Sequence, residues 1–290
     1  MASVLTPAAD PEFAFTDEDF ERVRGLIHQH AGIALSDSKR QLVYSRLGRR
    51  LRARSLASFR DYLEILESDD AEEWEAFTNA LTTNLTSFFR EEHHFPILAA
   101  HLKRVKGRQL VLWCTACSTG EEPYSMAITA AEAFDTLTPP VRILASDVDT
   151  NVLAKAEAGI YPMDRFERMP PERLRRFFLK GSGPNAGHVK IRPEIAGLVT
   201  FRQVNLLHDN WPMRGPLDAI FCRNVMIYFD KATQYSILKK FVPLLANDGL
   251  FFAGHSENFI HAADLFRLRG KTVYELSQKV RQQHASARQR

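Results

Sequence analysis

Apolar residues recur along this chain with two different periods, and the change from one to the other divides it. Phe20, Val23, Leu26 and Ile27 fall at helical spacing. Thr16, with Asp19 three residues on, signals a helix start, so a helix is predicted over about 16–30, ended by Gly32. A second is predicted over about 36–54, where Val43, Leu47 and Leu51 make one stripe and Arg46, Arg50 and Arg54 a neighbouring one. Helix formers resume at 58–66, with Phe59, Tyr62, Leu63 and Leu66, and again at 72–83. Residues 15–83 therefore read as a small all-helical domain. The Pro- and Ala-rich stretch 1–14 has no period and is expected to be mobile.

The segment 84–90 breaks the helical period, and a helix over about 91–104 completes a linker spanning 84–107. Beyond it, short continuous apolar runs predict strands at 110–114, 141–146, 199–204, 217–222, 250–253 and 272–276. Helical patterns at 123–134, 150–158 and 231–245 lie between them, and Asp248-Gly249 reads as a turn. Strands alternating with helices predict an α/β fold over 108–277, a mostly parallel sheet covered on both faces, closed by an antiparallel strand. An insertion at about 174–198 has its own turn, Gly181 to Gly187, flanked by 176–179 and 189–192, which could pair as a hairpin. The basic, polar tail 278–290 is expected to be disordered.

Composition narrows the class. At 290 residues, 45% hydrophobic and 25% charged, the chain can bury two ordinary soluble cores. No apolar run approaches the roughly 20 residues of a membrane span, and the first residues lack the basic start and apolar core of a secretory signal. Three cysteines, Cys114, Cys117 and Cys222, form no disulfide framework, so a reducing cytoplasm is expected. A net charge of +3 is too small to argue for nucleic acid. Its distribution is uneven, however. Lys39, Arg40, Arg46, Arg49, Arg50, Arg52, Arg54 and Arg60 occupy 38–60 with no acid, and 61–75 holds eight acids and no base. Such segregation points to an interaction face.

The candidate chemistry centres on 110–125. An apolar strand runs into Thr115-Ala116-Cys117-Ser118-Thr119-Gly120 and then a helix, with Pro123 suited to its first turn. Strand, tight loop and helix form the first unit of a parallel sheet, where ligands bind beyond the carboxyl ends of strands. The loop has a single glycine where a dinucleotide loop carries three, and Glu121 and Glu122 would repel a phosphate. A ligand with positive charge and hydroxyls suits it, and S-adenosylmethionine is one. Asp147, 27 residues past Gly120, could accept hydrogen bonds from both ribose hydroxyls or cap the next helix; Asp149 reads as that cap. Arg223 and Asn224 directly follow a buried strand, with Tyr228 one turn on; they could line the crevice or serve structure. The cysteines read as buried small hydrophobes, since Cys114-x-x-Cys117 has no second pair to complete a zinc site. His93-His94 is assigned no metal, and His255 could face the crevice or hold a local turn.

Five segments then stand in a fixed order: Asn84-Leu85-Thr86-Ser87-Phe88-Phe89-Arg90, Ser118-Thr119-Gly120-Glu121-Glu122-Pro123-Tyr124-Ser125, Ser146-Asp147-Val148-Asp149, Cys222-Arg223-Asn224-Val225-Met226-Ile227-Tyr228-Phe229 and Gly254-His255-Ser256-Glu257-Asn258. Together they closely resemble CheR, the bacterial chemotaxis receptor glutamate methyltransferases, over nearly the whole chain. The resemblance implies a class I S-adenosylmethionine-dependent, Rossmann-like methyltransferase domain, a helical N-terminal domain and an inserted antiparallel β-subdomain. It implies cofactor contacts at Asn84, Thr86, Arg90, Glu121, Asp147, Asn205, Leu206, Arg223 and Asn224, with S-adenosylhomocysteine as product. Arg90 and Tyr228 correspond to the positions near the transferred methyl. The basic second helix, with Lys39, Arg46, Arg49, Arg50 and Arg54, corresponds to the one that reads acidic cytoplasmic methylation helices of the receptor. The glycine-containing loop resembles the version that docks a receptor's C-terminal pentapeptide, although a plain hairpin would read alike. A cytoplasmic monomer with no nucleic-acid partner and no membrane insertion is expected. A nucleic-acid methyltransferase is opposed by the scarcity of aromatics for base stacking beside the basic helix. A non-catalytic adaptor is opposed by the intact loop motifs, and a dinucleotide oxidoreductase by the single glycine and paired glutamates.

Overall fold

Side-chain caps set the ends of the first helices. The computed structural model describes residues 12–68, 70–105 and 107–287, and the chain divides after Thr82 into two units. In the first, α1 (Asp17–Ala31) opens on a capping box between Thr16 and Asp19 and closes at Gly32, whose φ of 71° suits glycine. A 3-10 turn (Asp37–Lys39) precedes α2 (Arg40–Ala53). Ser58 caps α3 (Phe59–Glu67) and Asp70 caps α4 (Ala71–Leu81). Val23, Ile27, Val43, Leu47, Leu51, Tyr62, Leu63 and Phe77 are fully buried between the four helices. The expectation of a mobile stretch up to residue 14 needs correction at its end. Phe13 is buried, its ring 6.4 Å from Phe59, because an aromatic this close to the bundle gains more from burial than it loses in order. Residues 1–11 lie outside the described residues.

The second unit is α/β. In chain order its elements are α5 (His94–Arg104), β1 (Leu110–Cys114), α6 (Glu121–Phe134), β2 (Val141–Asp147), α7 (Thr150–Ala158), β3 (Ile160–Pro162), α8 (Pro171–Phe177), β4 (Phe178–Lys180), β5 (His188–Ile191), α9 (Pro193–Ala196), β6 (Val199–Gln203), β7 (Leu217–Cys222), α10 (Lys231–Phe241), β8 (Leu245–Ala253), β9 (Phe266–Gly270), β10 (Val273–Leu276) and α11 (Gln278–Ala287). Seven strands form one sheet in the order β6-β2-β1-β7-β8-β10-β9. The first five are parallel and the last two pair antiparallel. Strand alternation divides the core: Leu112, Cys114, Ile143 and Phe221 pack on one face with α5 and α6, and Trp113, Ile220 and Phe251 on the other with α10. No helix among the described residues is long and apolar enough to cross a membrane.

Several expected boundaries shift. The helix predicted to begin at 91 starts at His94, after a turn. The helix predicted through 245 ends at Phe241, and Asp248-Gly249 lies inside β8 at a register shift against β7 instead of a free turn. β9 was not predicted, because Arg267 and Arg269 break the apolar run of an edge strand. The β-subdomain has three strands, in the order β3-β5-β4 and antiparallel, and β3 comes from ahead of the predicted insertion. The tail expected to be disordered forms α11 through Ala287, because the Ser277 hydroxyl accepts from the Val280 N–H and Val280 is buried. Residues 288–290 lie outside the described residues.

Candidate functional site

At the carboxyl end of β1 the chain turns sharply. The Thr115 N–H donates to the Phe221 carbonyl of β7 and the Cys117 N–H to the Ser146 carbonyl of β2. The loop is thus hung between the two strands that flank β1. Gly120 has φ 98°, and a Cβ there would sit 2.9 Å from the Ala156 Cβ and 2.8 Å from the Tyr161 hydroxyl, so only glycine fits. Tyr161 in turn donates to the Thr119 carbonyl at 2.8 Å. The loop feeds straight into α6, whose first turn carries Glu121 and Glu122, both buried.

The two glutamates have different surroundings. Glu121 accepts from the Thr119 hydroxyl at 2.6 Å, with Arg165 at 3.9 Å, and burial raises its pKa. Glu122 accepts from the Cys114 thiol at 3.2 Å and pairs with Arg223 at 2.7 Å; burial raises it too. The three cysteines are buried and unpaired with one another.

Asp147 ends β2, and its carboxylate accepts from the Ser118 N–H at 2.8 Å and the Asp149 N–H at 3.1 Å. Each oxygen accepts one of these bonds, so a lone pair remains on each. Burial pushes its pKa up to about 6 against the backbone N–H groups of Asp149, Ser118 and Val148, which lower it. Asp149 is the cap of α7, accepting from the Asn151 and Val152 N–H groups. The end of β6 joins this corner, since the Val204 N–H donates to the Asp147 carbonyl. Asn205 and Leu206 follow directly. Lys240 of α10 donates to the carbonyls of Leu206, Leu207 and His208, each at 3.0 Å, and so fixes their loop.

The segment 84–91 lies on the same corner. Asn84 donates its amide to Asp149 at 2.8 Å, and the Ser118 hydroxyl donates to the Asn84 carbonyl at 3.2 Å. Phe88 packs its ring among Tyr161, Phe166 and Phe178, and the Phe89 N–H donates to the Ser125 hydroxyl. Thr86 is half-buried between these anchors. Arg90 donates to the Leu85 carbonyl at 2.7 Å, folding its stem back along the segment. Phe89, Glu91, Ser118 and Asn224 all have φ between 48° and 57°, and such strain gathers at sites the surroundings over-determine.

Beyond β7 the side chains face a different network. Arg223, whose side chain has no exposure, links Glu122 to the Arg90 carbonyl at 2.6 Å and to Glu91 at 3.4 Å. Asn224 donates to Glu91 at 3.3 Å. His255 meets Glu91 through its backbone N–H and its ring, a turn contact at the rim. Beneath them Glu257 accepts four backbone N–H bonds, from Gly254, Asn224, Val225 and Met226. It holds the turn that carries Tyr228, which is half-buried. Sequence reasoning did not assign Glu91, Glu257 or Lys240. Only Glu257 stood within a quoted motif, and the partners of the other two are too remote in sequence to be read from it.

The structure thus brings Asn84, Glu121, Asp147, Asn205 and Leu206 to one corner, and turns the guanidinium of Arg223 into a buried ion pair beside it. In the helical unit, Arg46 donates to the carbonyls of Ala80 and Thr82, Arg50 pairs with buried Glu73, and Arg54 with Asp70 and Glu73. The charge segregation of the sequence is therefore partly α2 pairing with α4. Lys39 and Arg49 are exposed. The corner's donor set fits S-adenosylmethionine: two buried carboxylates with raised pKa values and spare lone pairs suit a ligand carrying hydroxyls and positive charge.

Comparison with known proteins agrees. Chemotaxis protein methyltransferase 2 of Pseudomonas aeruginosa is 56% identical over 265 residues, covering 91% of this chain and 94% of the relative. The chemotaxis protein methyltransferases of Salmonella typhimurium and Escherichia coli are 55% and 54% identical, over 91% of this chain and 92% of theirs. A TehB-like SAM-dependent methyltransferase from Corynebacterium glutamicum is a distant structural likeness, at 12% identity and TM-score 0.36 over 73% of this chain and 97% of that one. Residues 18–82 match the family profile described as CheR methyltransferase, all-alpha domain, and residues 84–275 that described as CheR methyltransferase, SAM binding domain. The chain belongs to the CheR family and is an S-adenosylmethionine-dependent methyltransferase.

Proposed function

We propose that this protein methylates glutamate side-chain carboxylates of bacterial chemoreceptors, forming methyl esters in their cytoplasmic methylation helices. The reading rests on the 54–56% identity to chemotaxis protein methyltransferases, with the buried carboxylates of Glu121 and Asp147 as the place for the cofactor. Bound S-adenosylmethionine supplies a methyl carbon on a positively charged sulfur. A glutamate has a pKa near 4.3, so the acceptor is already ionised at pH 7 and no general base is needed. What the chain must provide is orientation, worth up to roughly 7–11 kcal/mol, and exclusion of water.

Arg90 and Tyr228 hold the acceptor carboxylate in this reading. Arg90 stabilises the ionised acceptor before reaction as well as during it, so its benefit comes from geometry more than charge. Asn84 and Thr86 cover the cofactor, while Asp147 and Glu121 take its hydroxyl and cationic groups, with Asn205 and Leu206 beside them. Arg223 and Asn224 act by fixing the wall. Lys39 and Arg49, exposed on and beside α2, meet the acidic receptor helices; Arg46, Arg50 and Arg54 support the same surface through bonds to their own fold. A receptor's C-terminal pentapeptide docks at the three-stranded sheet, and the enzyme works as a cytoplasmic monomer. Each ester removes one negative charge from a receptor helix, which relieves like-charge repulsion and biases its signalling state.

The test is incubation with methyl-labelled S-adenosylmethionine and receptor cytoplasmic fragments, with and without their C-terminal tails. Label on the fragment that mild base releases is the expected result. Base-stable label, or none on any fragment, would remove the glutamate assignment. Arg90→Ala and Tyr228→Phe should slow single turnover with the fold intact.

A further inference from the structure

Just past Arg90 the chain reads Glu91-Glu92-His93-His94, and one ligand atom from each of Glu91, His93 and His94 lies within 4.8 Å of the others. Sequence alone gave this pair of histidines no metal. The geometry points to one: we propose that Glu91, His93 and His94 form a site for a single divalent transition-metal cation, with zinc the best match.

The argument starts at His94, whose side chain has no exposure. Its Nε2 lies 3.0 Å from the Lys271 carbonyl, which can only accept, so Nε2 carries the proton. Nδ1 is therefore a bare lone pair. Nδ1 makes no hydrogen bond and faces Glu91 Oε2, 3.8 Å away, which makes none either. Two buried acceptors confront each other with no donor between them.

Such a pair needs an occupant. A bridging water with hydrogen bonds of about 2.8 Å would hold the two atoms roughly 4.5 Å apart at tetrahedral angles. A zinc ion with bonds of about 2.1 Å would hold them roughly 3.4 Å apart. The 3.8 Å observed is nearer the second. A backbone carbonyl on the far nitrogen of a ligating histidine is also the usual outer support of such sites. Glu91 is also paired with Arg223 at 3.4 Å and with His255 at 3.0 Å, so a bound cation would share its carboxylate with them. The other oxygen of Glu91 is held by His255 and Asn224. His93 is half-buried, so the site has a path to solvent.

The full chain, stripped with a chelator, would be titrated calorimetrically with zinc alone. One equivalent should bind, and His93→Ala, at a half-exposed position, should weaken it about tenfold or more. His188→Ala, at an exposed histidine remote in sequence, should leave it unchanged. Crystals soaked in zinc should show an anomalous peak between His94 Nδ1 and Glu91 Oε2. A water there instead, or zinc binding that His93→Ala leaves intact, would overturn the proposal. Neither readout depends on methyl transfer, so the site stands or falls apart from the proposed reaction.

Discussion

Helix α2 and the corner beyond β1 and β2 both look like charge set aside for a partner, but α2 turns much of its own onto the fold and leaves Arg49, with neighbouring Lys39, exposed. Three of the arginines on α2 and at its end bond to groups of their own fold: Arg46 to two carbonyls, Arg50 to buried Glu73, Arg54 to Asp70 and Glu73. Asp147, by contrast, is buried with backbone donors, and its pKa rises to about 6. This fold satisfies its structural buried carboxylates more fully, Glu122 with Arg223 at 2.7 Å and Glu257 with four backbone N–H bonds. Charge held for a ligand is thus recognised by what it lacks in the free protein.

The comparison can be broken in several places. Arg223→Met should have the largest effect, since it strands Glu122 and Glu91 inside the protein. Breaking a buried pair costs about 3–5 kcal/mol, read as a lower midpoint in urea unfolding. Unchanged stability would mean that the network is not structural.

Asp147→Asn should act on the ligand and not on the fold. Losing charged hydrogen bonds worth about 1.5–3 kcal/mol would weaken cofactor binding by roughly tenfold or more. Its pH dependence has a definite sign. The folded pKa, about 6, lies above the ordinary 3.8, so the native state holds this proton more tightly than the unfolded chain. The contribution to stability is present below the ordinary value, falls as pH rises from about 4 to 6, and is gone above that. Cofactor affinity should run the other way, rising through the same window as the carboxylate ionises. Asp147→Asn should flatten both trends, measured by unfolding and by calorimetry between these pH values.

Arg50→Met should cost about 1–3 kcal/mol of stability, because Glu73 keeps Tyr62 and Arg54 but loses its bidentate partner. Arg49→Ala, one residue away and exposed, should fall within about 0.5 kcal/mol of wild type yet lower the methylation rate of receptor fragments. Reversed behaviour of the two would show that the arginines are wrongly sorted. The smallest effect is expected of Lys240→Met. Freeing the carbonyls of Leu206, Leu207 and His208 should cost about 1 kcal/mol in cofactor affinity, near fivefold, with turnover at saturation unchanged.

What could be read from the residues follows the range of the forces. Strands β1, β2 and β7 were legible because buried parallel strands are continuous apolar runs, and the Gly120 loop because its conformation demands a small residue. The edge strand β9 and the three-residue β3 carry too little apolar signal to mark themselves. Helix α11 hid because Val280, its buried anchor among the described side chains, is lost among polar neighbours. Asp149 was legible as a cap because its partners are two and three residues away. The fate of Arg46 or Arg223 was not, since their partners lie 34 and 101 positions off, where no local pattern reaches.

The most direct test is calorimetry with S-adenosylhomocysteine on the wild-type chain, Asp147→Asn and Arg50→Met. Wild type should bind one equivalent, Asp147→Asn should lose roughly tenfold or more in affinity while staying folded, and Arg50→Met should bind as wild type despite its lower stability. Equal affinity for wild type and Asp147→Asn, or a loss in Arg50→Met, would contradict the assignment of the corner to the cofactor and of α2's inner arginines to the fold.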